Sequence, residues 1–133
     1  MSRFSARRLL PAAALGLLLT LGPGGSVASA KPPPPRSYCA TAFCTEVAGT
    51  KASQISLELG TFNFTASHRV CVNPPRGKTV CRRLSLTRGA LALYHGDVYW
   101  ADKFPHRGRG IYRVRWTQDG VQLGPVLGFR LGR

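Results

Sequence analysis

The residues of this chain that can do chemistry are four cysteines (Cys39, Cys44, Cys71 and Cys81), three histidines (His68, His95 and His106) and five acids (Glu46, Glu58, Asp97, Asp102 and Asp119). The cysteine spacings are C-x4-C and C-x9-C. A structural zinc site takes two short-spaced ligand pairs, such as C-x2-C followed by a second Cys or His pair, and a thioredoxin-like redox centre takes C-x-x-C. Neither pattern occurs. No two acids form a recognisable acid/base pair, and no histidine lies near a nucleophile motif such as G-x-S-x-G. His95, Asp97, Asp102 and His106 can in principle collect a metal, but their spacing is not diagnostic of one. The expectation is a protein with no catalytic residues, no cofactor and no metal site.

The cysteines are better explained by disulfides, because the N-terminus reads as an export signal. Arg3, Arg7 and Arg8 form a positive region, Leu9 to Leu21 is apolar, and Ala28-Ser29-Ala30 is the small-residue pattern that a signal peptidase accepts. The apolar stretch falls short of the roughly 20 residues that cross a hydrocarbon core, so stable membrane insertion is not expected. Cleavage before Lys31 makes residues 1–30 a signal peptide and the product secreted or extracellular. An even number of cysteines in such a chain predicts two disulfides. Spacing favours Cys39 with Cys44 and Cys71 with Cys81. Folding "RVCVNPPRGKTVCRR" (residues 69–83) about Arg76 sets Cys71 opposite Cys81, Val72 opposite Val80 and Val70 opposite Arg82. Asn73 to Lys78 then form a loop braced at its base.

The elements that must carry these residues repeat with a period of two, as strands do. After a proline-rich extended segment, residues 31–37, expected to project as a tether, the domain is expected to span residues 38–133. Ile55, Leu57 and Leu59 alternate with polar neighbours. "ALALY" and "DVYWA" read as strands flanking a turn at His95-Gly96, which puts Val98 and Trp100 inward and Tyr94 and Tyr99 outward, where the tyrosines can stack a sugar or pair across strands. In "GIYRVRWT" burial favours the face of Tyr112, Val114 and Trp116, and Asp119-Gly120 turns the chain into a last strand with Leu127, Phe129 and Leu131 inward. About seven short strands separated by Gly, Pro, Asn and Asp turns predict an all-β, antiparallel sandwich of the immunoglobulin-like kind, stapled by two disulfides.

Charge is the remaining signal. The chain has 19 Lys and Arg against 5 Asp and Glu. Since Arg3, Arg7 and Arg8 leave with the signal peptide, 16 basic residues (19 less 3) face 5 acidic ones in the product, which favours contact with polyanions such as anionic cell-wall polymers. The alternation places Arg113, Arg115 and Arg130 outward, with Arg69 and Arg83 beside the Cys71–Cys81 pair. These five are the candidate polyanion-binding residues. An alternative is a protease inhibitor that presents Arg76 or Lys78 from the braced loop to a trypsin-like pocket. Small-ligand carriage in the sandwich cleft is a third expectation.

The run "RVCVNPPRGKTVCRR" followed by "DKFPHRGRGIYRVRWTQDGVQLGPVLGFRL" resembles small exported immunoglobulin-like proteins of high-GC Gram-positive bacteria, over about residues 68 to 131. The resemblance implies the fold and the location and assigns no activity. Gly-x-Tyr at Tyr112 resembles the tyrosine corner of such domains, which implies a phenol bonded back to an upstream backbone group.

Overall fold

A computed structural model describes Gly25 and residues 31–132, so the expected signal peptide lies outside the described residues apart from Gly25. Among the described residues, nine strands form two antiparallel sheets. The first sheet has the order β1 (Ser37–Cys39), β2 (Phe43–Ala48), β3 (Ser56–Thr61), β7 (Tyr94–Tyr99) and β6 (Thr87–Arg88). The second has the order β5 (Val80–Arg83), β4 (His68–Asn73), β8 (Gly110–Gln118) and β9 (Val121–Leu131). A single helical turn, α1 (Trp100–Lys103), leads from β7 toward β8. The expected seven strands become nine because β1 and β6, of three and two residues, are too short to show a period.

The inner faces are set by the alternation. Val47, Leu57 and Leu59 from the first sheet meet Val70, Val72, Val114, Trp116, Leu127 and Phe129 from the second in one buried cluster, closed by Trp100. Tyr112 stacks on Phe129 with ring centroids 5.1 Å apart, and Trp100 approaches both rings edge-on. Both disulfides form as expected: Cys39–Cys44 joins β1 to β2, and Cys71–Cys81 joins β4 to β5. The hairpin register is the one obtained by folding about Arg76, with Val72 opposite Val80 and Val70 opposite Arg82.

Tyr112 also carries the bonds expected of a tyrosine corner. Its hydroxyl donates to the Gly108 carbonyl at 2.8 Å and accepts from the Arg107 amide at 2.9 Å. The phenol thereby fixes the loop that leads into β8. Tyr112→Phe keeps the stacked ring and leaves both backbone groups without this partner, so it should cost about 1 to 3 kcal/mol in urea unfolding. A loss under about 0.5 kcal/mol would mean that water replaces the hydroxyl without penalty.

Three expectations need correction. The end of the proline segment does not project: the Pro35 carbonyl accepts a hydrogen bond from the Gly128 amide at 3.0 Å, the Arg36 carbonyl accepts one from the Val47 amide at 2.7 Å, and the Arg36 guanidinium donates to the carbonyls of Val47 and Gly49. Gly128 makes room for this strap, since a Cβ there would lie 2.6 Å from the Pro34 ring and 2.5 Å from the Tyr112 carbonyl oxygen. His95-Gly96 is not a turn but lies in the middle of β7. Gly96 is needed inside the strand because Leu86 and the Ser85 carbonyl pack where its Cβ would be, at 2.8 and 3.0 Å. Tyr94 and Tyr99, an odd number of residues apart on that continuous strand, therefore face opposite sides. Tyr94 stacks on Phe64 at 4.6 Å, while Tyr99 is exposed.

Candidate functional site

The outer face of the second sheet gathers all five candidate arginines, each exposed. Register places them in order. Arg83 on β5 faces Arg69 on β4 in the same row as Thr117. One row along, Arg115 on β8 faces Cys71, and a further row along, Arg113 faces Asn73 on one side and Gly128 on the other. Arg130 on β9 closes the series opposite Ile111. The five guanidinium groups thus step diagonally across four strands. With strands about 4.8 Å apart and same-face residues about 6.7 Å apart along each strand, the band is about 25 Å long. Its shape suits an extended chain better than a compact ligand.

The band sets like charges side by side. Arg69 and Arg83 are directly opposed across the strand pair, and like charges in that position destabilise a sheet. Arg113 and Arg115 share a face of one strand, with only the buried Val114 between them in sequence. Arg82 takes no part, because its guanidinium turns to the Lys103 carbonyl and lies over the Phe104 ring.

The acids lie elsewhere. Glu46 faces Glu58 across β2 and β3, and Glu58 faces Asp97 across β3 and β7, so three of the chain's five acids form one row on the outer face of the first sheet. Charge is therefore segregated between the two faces. Sequence reasoning missed this row because β3 and β7 are far apart in sequence, and their register is set by tertiary packing.

The metal-capable residues do not assemble: His95 and Asp97 lie on β7, Asp102 in α1 and His106 in the following loop. Among the described residues no group of three or more His, Cys, Asp or Glu is placed to hold a metal ion. His68 is the first residue of β4 and is buried, with Nε2 donating to the Gln118 side-chain oxygen at 3.3 Å. The Asn73–Lys78 loop stands exposed around Arg76, with Pro75 packed on Gly110, where a Cβ would come within 2.8 Å of the proline ring. No helix among the described residues is long and apolar enough to cross a membrane. No family model, curated protein or solved structure matches the chain.

Proposed function

We propose that this protein is an exported, non-catalytic binding module of immunoglobulin-like topology, which holds anionic cell-envelope polymers along the arginine band of its second sheet. The topology is supported by strand order: β2-β3-β7-β6 against β5-β4-β8-β9 has the arrangement of A-B-E-D against a C-F-G sheet with one added edge strand. Export is supported by the N-terminal sequence and by two disulfides, which persist in oxidising compartments. The observation that carries the binding reading is the segregation of charge, with five arginines on one outer face and an acidic row on the other.

The test compares two charge-matched variants for binding to wall teichoic polymer over a salt series. Converting Arg113, Arg115 and Arg130 to Glu should weaken binding at least about tenfold and flatten the slope of log affinity against log salt by about 2 to 3, since each lost contact stops releasing about one counterion. Converting Lys51, Arg88 and Lys103 to Glu makes the same change in net charge away from the band. Equal losses in the two variants would mean diffuse attraction and no site. The braced Asn73–Lys78 loop supports a second reading as a protease inhibitor. Inhibition of a trypsin-like protease that disappears on Arg76→Ala, with polymer binding absent, would favour that reading instead.

A further inference from the structure

A cavity of about 420 Å³ opens where two connections cross between the sheets, the one from β3 to β4 and the one from β5 to β6. Its volume falls in the range of small-molecule sites, about 300 to 1,000 Å³. Its walls carry polar groups that the fold does not use. Arg83 is one of the lining residues, with no hydrogen-bond or ion-pair partner among the described residues, and the hydroxyls of Ser67 and Ser85 are likewise uncommitted among them. His68 also lines it. With Nε2 bonded to the Gln118 side-chain oxygen, its Nδ1 is buried and has no partner. The lining also carries an aromatic pair: Phe64 is 56% exposed and stacked on Tyr94.

From this set of groups we infer that the cavity is a subsite for an acidic sugar unit, a pyranose bearing a carboxylate. Each part of such a ligand meets a matching group. The carboxylate pairs with the Arg83 guanidinium, whose planar fork suits bidentate contact. The sugar hydroxyls bond to Ser67 and Ser85. The apolar C–H face of the ring lies against the Phe64–Tyr94 slab, as aromatic side chains favour. The inference rests on the polyanion-binding reading and deepens it. Arg83 both lines the cavity and is the first member of the arginine band, so a polymer whose end unit occupies the cavity continues along Arg69, Arg115, Arg113 and Arg130.

Binding of glucuronate, glucose and polygalacturonate to the purified protein, followed by backbone amide shifts, tests the subsite. Glucuronate should shift the amides of residues 64–68, 83–86 and 94, and glucose should bind at least about tenfold more weakly, the loss expected when a charged hydrogen-bonding group goes unmatched. Phe64→Ala and, separately, Arg83→Gln should each weaken glucuronate at least about tenfold. Arg130→Gln should leave glucuronate binding unchanged while weakening polygalacturonate. Both Phe64 and Arg83 are exposed, so these variants should fold, and an unchanged amide spectrum away from the cavity checks that they do. Polygalacturonate binding without a glucuronate response at the cavity amides would overturn the subsite and leave the band intact. A glucuronate response with no polymer binding would uphold the subsite and remove the polymer reading. Equal binding of glucose and glucuronate would overturn the acidic specificity assigned to Arg83.

Discussion

Trp116→Ala is expected to lower the unfolding free energy by about 3 to 5 kcal/mol, the range for emptying a buried aromatic site. Trp116 has no exposed surface and lies on the inner face of β8 between Val70 and Leu123 on the neighbouring strands. It belongs to the buried cluster that both sheets share, which rigid strand pairing prevents from collapsing around a small side chain. The indole N–H is buried without a partner. Trp116→Phe, which removes that unmet donor along with some volume, should therefore cost less than half as much as the alanine change. Arg113→Ala, on the outer face of the same strand, should change stability by about 0.5 kcal/mol or less. Urea unfolding of the three variants measures this. A larger loss for Arg113→Ala than for Trp116→Ala would mean that the inner and outer faces of β8 are reversed.

Removing both disulfides by four Cys→Ala changes should have a comparable effect, about 4 to 5 kcal/mol. The bridges close stretches with sequence separations of 5 and 10, worth about 2 and 2.7 kcal/mol when loop-closure entropy is withdrawn from the unfolded chain. The total is set against a whole-domain stability that is about 5 to 15 kcal/mol for small domains. The two bridges should not contribute alike. Cys71 is buried and cross-links the β4–β5 hairpin at the base of the Asn73–Lys78 loop, whereas Cys39 and Cys44 are exposed at the margin of the first sheet. Chemical unfolding of each paired variant and of the combined one resolves the shares. A combined loss under about 1 kcal/mol would show that strand pairing alone holds the fold.

The parts of this architecture that were legible in the sequence are those that local pattern decides. Tyr112, Val114 and Trp116, and Leu127, Phe129 and Leu131, alternate without interruption and all lie inward. The cysteine hairpin has its two cysteines placed symmetrically about Arg76, so its register followed from the spacing. The outward arginines on β8 and β9 followed from the same alternation. What was not legible depends on strands that meet from distant parts of the chain. Gly96 looks like a turn glycine until the segment from Ser85 to Leu86 is laid on it. The row of Glu46, Glu58 and Asp97 requires the β3–β7 register, and the cavity beside His68 requires two crossovers to be placed at once. Polyproline composition indicated an extended backbone but carried no sign that a carbonyl of that backbone would accept a bond from Gly128.

That strap bears on how the protein avoids sticking to itself. β9 is the outermost strand of its sheet, eleven residues long, and its far rim offers a row of backbone groups to any passing strand. A long edge of this kind is a template for fibril growth. Here the rim near Gly128 is occupied by Pro34 and Pro35, which have no N–H to extend a ladder further. The prolines therefore act as an edge guard, and trimming the chain back beyond Pro35 would convert a capped sheet into one open to self-association.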